Sequence, residues 1–248
     1  MIALRMPACW LVAAVLVGGC SGGEAPNATN VEDARLAELQ RQIAALEQRK
    51  SLLEDANGVK RLQRAYGYYV DRGLWDQVAD LFADDGTLEI GLDGVYIGKD
   101  HVRQYLYALG NGHEGLAEGQ LNEHMQVMPV ITVAPDGKTA KGRWRAIIMA
   151  GQLGKDAFWG EGPYENEYIK DNGVWKIKKL HWYDSMFVPY ATGWLKTPDP
   201  TLGKFVGDKL KPDAPPSVDY ETWPGTYLPP FHFPNPVGTY SPSAAGTE

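Results

Sequence analysis

Two long β-rich stretches joined by a tight turn decide the fold of this chain. Residues 121–133 have the sequence LNEHMQVMPVITV, and residues 139–150 have the sequence TAKGRWRAIIMA. Between them lies Pro135-Asp136-Gly137, and an Asp-Gly turn between two such runs is a strong signal for a β-hairpin. Pro129 lies inside the first run, where its missing N–H interrupts a β-ladder, so we expect a bulge there.

A second hairpin follows directly. Residues 158–170 and 174–182 are again rich in β-formers and flank the turn Asp171-Asn172-Gly173. The upstream half of the chain has helical periodicity instead. It predicts helices over residues 32–54, 59–72, 74–82 and 98–109, with a short strand at residues 87–90. Helices followed by a meander of long antiparallel strands predict an α+β layer architecture.

The first predicted helix carries an apolar seam at alternating spacings of three and four residues. Its members are Leu36, Leu39, Ile43, Leu46 and Leu53, with Lys50 at the one polar position. This short heptad pattern predicts either a coil with a partner helix or a stalk that lies on its own domain. Asn57-Gly58 is expected to end the helix. The second helix is expected to turn one stripe inward, formed by Leu62, Ala65, Tyr66 and Tyr69.

Five short sequence motifs occur in a fixed order along the chain. They are YVDRGLWD at residues 69–76 with ADLFADDG at 79–86, GVYIGKD at 94–100, His124 ahead of VITV at 130–133, DGKTA at 136–140, and YENEY at 164–168 with GVWKI at 173–177. Together with the order of elements, they resemble the NTF2-like cone fold, and within it the SnoaL-like domains close to the scytalone-dehydratase type. The resemblance covers about residues 58–185. It implies a curved sheet that wraps around helices and encloses one apolar pocket.

The resemblance also implies a catalytic aspartate and histidine at Asp71 and His124. From the residues alone, Asp71 could equally cap the helix that begins near Leu74, and His124 could be a hydrogen-bonded structural histidine. The chain departs from the dehydratase pattern on the next strand, where the second histidine is missing near Met149 or Ala150.

The remaining predicted substrate contacts are Tyr69, Tyr96, Trp144, Tyr164 and His181. With a base, an acid and phenol donors to a developing oxyanion, the site predicts a cofactor-free lyase or isomerase. Its substrate would be a small apolar or aromatic molecule, and no metal or nucleotide is required. Two alternatives stay open: a non-catalytic small-molecule-binding protein with the same pocket, and an interaction protein that works through its coil and arm.

Composition argues against other classes of protein. The chain has 24 basic and 31 acidic residues, a net charge of −7, so we expect no nucleic-acid partner. Its two cysteines, Cys9 and Cys20, precede the folded body, which therefore cannot contain a disulfide framework or a cysteine zinc site. The segment from Gly110 to Gly115 matches G-x-G-x-x-G, but a helix precedes it and a polar loop follows, so no dinucleotide site is expected.

The N-terminus has the features of a targeting segment. Residues 1–19 contain one charge, Arg5, and a short apolar run, which predicts a signal peptide rather than a membrane-spanning helix. The small residues before Cys20 resemble the lipobox of bacterial lipoproteins, which implies acylation of Cys20 and an anchor in the cell envelope, at the periplasmic face of the outer membrane. An ordinary secretory signal is the alternative.

The sequence thus predicts five segments: the signal peptide, a tether at residues 20–30, a coil-like helix at 31–57, a SnoaL-like domain at 58–188 and an extended arm at 189–248. Twelve of the 17 prolines lie at or after Pro189, yet the arm keeps many aromatic rings and is expected to pack on the domain or on a neighbouring subunit. The alternation of side chains along the strands leaves some of their tryptophans on the outer face of the sheet, and an exposed apolar patch there predicts a homo-oligomer. The tryptophans on the predicted strands are Trp144, Trp159, Trp175 and Trp182.

Overall fold

The structure is a computed structural model and describes residues 28–238. The predicted signal peptide, Cys20 and the last residues of the arm lie outside the described residues. The chain divides into two compact units, residues 1–46 and 47–248. The described part of the first unit is helical throughout, and the second unit contains the sheet and every cavity discussed below.

The elements follow in the predicted order. The helices are α1 (Ala28–Asp71), α2 (Trp75–Asp80), α3 (Lys99–Leu109) and the short α4 (Gly193–Lys196), and Gly207–Lys209 forms one 3₁₀ turn. The strands are β1 (Phe82–Ile90), β2 (Val95–Ile97), β3 (Gln120–Val133), β4 (Thr139–Gln152), β5 (Asp156–Asp171), β6 (Val174–Trp182) and β7 (Met186–Pro189). The predicted α+β class and both long hairpins are confirmed. The predicted third helix was too long, because β1 begins at Phe82, within the predicted helix.

One mixed sheet forms the body of the second unit. Its strand order is β2-β1-β6-β5-β4-β3, with β7 paired to β5, and only β1 and β6 run parallel. Strand β3 is therefore an edge. Its register with β4 shifts between Val127 and Val130, where Met128 adopts a φ of 54°, so the predicted bulge at Pro129 is confirmed.

The prediction that Asn57-Gly58 ends the first helix is wrong. Helix α1 is continuous for 44 residues and ends only at Asp71. Gly58 serves close packing instead, because a Cβ there would lie 2.8 Å from Cδ1 of Trp175. One turn earlier, Asp55 accepts hydrogen bonds from Trp175 Nε1 at 3.0 Å and from Lys170 Nζ at 2.5 Å. These contacts tie the helix to the hairpin of β5 and β6.

The inward stripe of α1 also differs from the predicted one. Val59, Gln63, Tyr66 and Val70 are buried, whereas Leu62, Ala65 and Tyr69 are only partly covered. The pattern of apolar residues does not reveal this stripe, because Gln63 is a polar residue at a core position. Its amide is hydrogen-bonded inside the protein: Nε2 donates to Gln126, and Oε1 accepts from Asn166 and from the Tyr168 hydroxyl.

The C-terminal arm packs on the face of the sheet that points away from α1. On this face Arg143 pairs with Glu165, donates to the carbonyl of Pro229 and lies over the ring of Phe231 at 4.3 Å. The prediction of exposed tryptophans on this face is wrong. Trp144, Trp175 and Trp182 are buried and Trp159 is partly covered.

Candidate functional site

An internal cavity of about 170 Å³ lies between α1, α2, α3 and the concave face of the sheet. Its aromatic walls are Tyr66, Trp75, Tyr105, Tyr164, Trp182 and Phe187, with Phe205 contributed by the arm. Its aliphatic walls include Val70, Leu88, Ile90, Leu106, Leu109 and Ile148. The walls come from elements far apart in sequence, so the cavity exists only in the folded chain.

Most polar side chains of the cavity wall are already paired with the protein. Trp75 Nε1 donates to the carbonyl of His113 at 2.8 Å, and the Tyr105 hydroxyl donates to Asp93 at 2.8 Å. Asn122 Nδ2 donates to the carbonyl of Val70 at 2.8 Å, and Trp182 Nε1 donates to a backbone carbonyl at 3.2 Å. These groups shape the wall, and their donors are not free to bind a ligand.

His124 is the exception. It lies on the edge strand β3 and lines the cavity, and its Nδ1 is buried without a hydrogen-bond partner within residues 28–238. Burial lowers the pKa of His124 to about 4, because an apolar environment disfavours the charged ring. The imidazole is therefore neutral at pH 7, with one acceptor nitrogen and one donor nitrogen.

Asp71 lies beside His124 but contacts its backbone. Asp71 Oδ1 accepts a hydrogen bond from the backbone N–H of His124 at 2.5 Å. Among the described contacts no hydrogen bond joins the carboxylate to the imidazole ring, and Asp71 lines an outer groove rather than the cavity. Asp71 also does not cap α2, whose N-terminus has no side-chain cap. Burial raises the pKa of Asp71, and the hydrogen bond from His124 opposes this shift.

Two phenols stand in the cavity wall. The rings of Tyr66 and Tyr164 meet edge to face with centroids 6.1 Å apart. Burial raises the pKa of Tyr164 to about 12 and raises that of Tyr66 well above its usual value, so both hydroxyls stay protonated at neutral pH. They can donate hydrogen bonds but cannot act as bases.

The structure brings only two of the predicted site residues, His124 and Tyr164, to the cavity wall. Tyr69 lies one position away from the lining residue Val70 and is directed elsewhere. Tyr96 is buried and donates to the carbonyl of Leu210 at 3.1 Å.

Trp144 and His181 also lie away from the cavity. Trp144 Nε1 donates to the Tyr168 hydroxyl at 3.0 Å, deep in the core. His181 lies on the opposite face of the sheet from its neighbour Trp182, stacked on Tyr183 with centroids 3.7 Å apart. Burial lowers the pKa of His181 to about 3.

Several cavity residues were missed by the sequence reasoning. Tyr66 is on the predicted inward stripe but not among the predicted substrate contacts, and Val70 and Trp75 lie within the recognised motif at residues 69–76. Phe187 and Phe205 carry no such signal, because they follow the last predicted strand and reach the cavity only through the path of β7 and the arm.

The entrance lies at the loop between α3 and β3. An open groove of about 780 Å³ borders this loop and shares Trp75, Gly110, Asn122 and Phe187 with the cavity. The Gly110 to Gly115 segment is a loop after a helix, as predicted. The described residues contain no group of three or more His, Cys, Asp or Glu side chains that could hold a metal ion. In that same part of the chain, no helix has the length and apolarity needed to span a membrane.

Comparison with solved structures identifies similar folds. A protein from Novosphingobium aromaticivorans DSM 12444, provisionally named a scytalone dehydratase, is 20% identical over 57% of this chain and 91% of that one, with a TM-score of 0.49. LinA is 17% identical over 58% of this chain and 95% of its own, with a TM-score of 0.49. A Catenulispora acidiphila protein solved in complex with S-DNPA is 14% identical over 52% and 91%, with a TM-score of 0.44.

No curated protein matches the chain. The sequence itself matches a family directly: residues 51–181 match the SnoaL-like domain. This range contains the end of α1, the sheet from β1 to β6 and most of the cavity wall. The chain therefore belongs to the SnoaL-like domain family and has its NTF2-like cone fold.

Proposed function

We propose that this domain binds a small, neutral, mostly apolar ring molecule in the internal cavity. The observation that carries the proposal is the neutral imidazole of His124, with an unpaired Nδ1, on a wall that is mostly apolar. A ligand with one hydroxyl or carbonyl group can pair with this ring and place its remaining surface against aromatic and aliphatic side chains. Ligand sites often combine an apolar lining with a small number of polar groups in this way.

The size of the cavity limits the ligand to about one ring. An engineered apolar cavity of about 150 Å³ in another protein binds benzene, and this cavity measures about 170 Å³. No Asp, Glu, Lys or Arg side chain lines it. Because a buried charge without a partner is costly, an ionised ligand is disfavoured.

Titration calorimetry with phenol, benzene and benzoate tests this proposal. We expect phenol and benzene to bind and benzoate to fail. Ala150→Phe fills the cavity and should abolish binding, whereas Ala157→Phe, at an exposed position on β5, should not. His124→Leu should weaken phenol and leave benzene nearly unchanged. Equal affinities of the two Phe variants would contradict the proposal.

A second candidate is cofactor-free lyase or isomerase chemistry with His124 as the base. The unprotonated ring inside the cavity favours it, and the Asp71 carboxylate lies next to the His124 backbone. A carboxylate that reached the ring would stabilise the imidazolium as it forms. Two features favour simple binding instead. A ring with a pKa of about 4 is a weak base at neutral pH, and the Asp71 oxygen is held by a backbone amide.

Proton exchange separates the two candidates without knowledge of the natural substrate. Cyclohexanone in D₂O exchanges the hydrogens next to its carbonyl when a base removes them. A catalytic His124 should accelerate this exchange, and His124→Gln and Asp71→Asn should each lose the acceleration, with non-additive effects in the double variant. If cyclohexanone binds but exchanges at the rate of buffer alone, the protein is a binding protein.

We also propose that the mature chain is anchored in the cell envelope through an acylated Cys20, at the periplasmic face of the outer membrane. The support is the lipobox-like sequence before Cys20 and Ser21 directly after it. Mass spectrometry of the mature N-terminus should find an acylated cysteine. An unmodified terminus downstream of Cys20 would exclude the anchor.

A further inference from the structure

The N-terminal half of α1 exposes an apolar stripe. Leu36, Leu39, Ile43, Leu46 and Leu53 are each between 47% and 68% exposed. Single exposed apolar residues are common on protein surfaces, but five in a row on one helix face are not. None of these five residues lines the cavity, so the inference that follows does not depend on the proposed ligand.

The spacing of the stripe is that of a coiled-coil seam. Heptad positions a are occupied by Leu36, Ile43 and Lys50, and positions d by Leu39, Leu46 and Leu53. Ile at a with Leu at d favours two strands, and one polar a position fixes the register at a cost in stability. The residues flanking the seam on either side therefore decide which partner it accepts.

The flanking charges fit a second copy of the same helix in parallel orientation. Positions g are Arg35, Gln42 and Arg49, and positions e are Gln40, Glu47 and Glu54. In a parallel dimer each g residue faces the e residue five positions later on the other helix. Arg49 then meets Glu54, and each of the other two pairs combines one charged side chain with one amide. An antiparallel pair would instead place like flanks together, arginine against arginine and glutamate against glutamate.

Glu54 is free to make this contact. Its present partner is Lys50 at 3.4 Å, and both side chains are more than half exposed. Such surface pairs contribute little to stability and rearrange readily. In addition, the folded unit holds residues 55–71 of α1 in place. The helix is therefore already nucleated, and a coil of fewer than three heptads does not have to offset the free-energy cost of nucleation alone.

We propose that residues 35–54 pair with the same segment of a second copy to form a parallel two-stranded coiled coil. A parallel dimer places both N-termini at the same end. Two copies anchored through Cys20 could therefore pair without reversing either chain.

Cysteine cross-linking in whole cells that express the full chain tests this proposal. Leu46→Cys places a thiol at a d position, and Gln48→Cys places one on the opposite, outward face of the same helix turn. Under mild oxidation we expect Leu46→Cys to form disulfide-linked dimers several-fold more than Gln48→Cys or the unmodified parent chain. Equal cross-linking at the two positions, or none at Leu46→Cys, would overturn the proposal.

Charge exchange then tests the orientation. In the Leu46→Cys background, Arg49→Glu should reduce cross-linking several-fold, because it opposes two acidic side chains in a parallel pair. Adding Glu54→Arg should restore it. If Arg49→Glu leaves cross-linking unchanged, or the double variant fails to recover it while its thermal unfolding is unaltered, the parallel arrangement is wrong. These positions are exposed in the folded chain, so the variants should keep the fold.

Discussion

Asp71 accepts a hydrogen bond from the backbone N–H of His124. His124 lies on the edge strand β3, and this N–H points away from β4. An edge strand has backbone groups that no neighbouring strand can pair. Asp71 pairs with one such group, the His124 N–H, and Asn122 donates to the carbonyl of Val70, so the two contacts fasten the end of α1 to β3. The contact between Asp71 and the His124 backbone is therefore structural, whatever chemistry the ring performs.

This role predicts the effect of Asp71→Ala. The substitution leaves the His124 N–H without its acceptor, and an unpaired, partly buried amide costs about 1–3 kcal/mol. We expect urea unfolding to show a loss of that order. Asp71→Asn keeps an acceptor oxygen and should lose distinctly less. Equal losses in the two variants would show that the negative charge, rather than the hydrogen bond, stabilises this contact.

His181 predicts a pH dependence of stability. Its pKa falls from an ordinary value near 6.5 to about 3 in the folded chain, so the unfolded chain binds a proton between these values that the folded chain does not. Stability should therefore fall as the pH drops from about 6.5 toward 3. His181→Phe keeps a ring to stack on Tyr183 and should flatten this slope by about one proton.

Urea unfolding at several pH values measures that slope. His113→Gln, which removes an exposed imidazole, serves as the control and should leave the slope unchanged. A slope identical in the wild type and in His181→Phe would show that the buried ring titrates as it does in the unfolded chain.

At the residue scale the sequence identified His124 and Tyr164 as cavity residues but not their surroundings. His124 could be identified because it lies in a β-rich stretch next to recognisable sequence motifs. The predicted stripe contained both Tyr66 and Tyr69, and only Tyr66 lines the cavity. Periodicity assumes apolar core positions, and the buried, hydrogen-bonded amide of Gln63 violates that assumption.

At the scale of elements, helix α1 provides the sharpest comparison. Asn-Gly commonly ends a helix, yet here Gly58 lies inside one because Trp175 packs against it. Local propensity cannot reveal a partner that is more than a hundred residues away. The hairpins of β3–β4 and β5–β6 were predicted well for the opposite reason, since each is set by a local turn.

Two substitutions distinguish a continuous helix from a broken one. Asn57→Ala, at an exposed position, should stabilise the chain by roughly 0.5 kcal/mol, because alanine is the better helix former. Gly58→Ala should destabilise it by about 1–3 kcal/mol despite the better propensity, because the new methyl group meets Trp175. Thermal unfolding measures both. A loss of stability with Asn57→Ala would indicate that the helix ends there.

At the scale of the whole molecule, the arm covers the outer face of the sheet. Glu89 on β1 accepts hydrogen bonds of 2.7 Å from the backbone and the hydroxyl of Ser217, and Asp199 accepts one from the backbone of Phe187. The aromatic content of the arm predicted that it would pack. Its docking face could not be predicted, because the contacts are irregular and lack periodicity.

The protonation of Asp184, which lies beside Asp199 of the arm, provides a test of this packing. Burial, together with the neighbouring Asp199, raises its pKa to about 9, so the folded chain holds a proton that the unfolded chain releases above about pH 4. Stability should fall as the pH rises from 4 to 9. Asp184→Asn removes this loss and should stabilise the protein by at least about 1 kcal/mol at pH 8, with little effect at pH 4. Urea unfolding at both pH values checks this, and a stabilisation equal at the two would contradict it.

The cavity with a neutral, unpaired His124 is the central feature of the molecule, and one NMR experiment measures it directly. The ring nitrogens of ¹⁵N-labelled His124, assigned with His124→Gln, are followed against pH with and without phenol. We expect the ring to stay neutral down to a pKa of about 4 and its signals to shift when phenol binds. A ring that titrates near 6.5 and does not respond to phenol would show that His124 is exposed to water and is not part of a binding cavity.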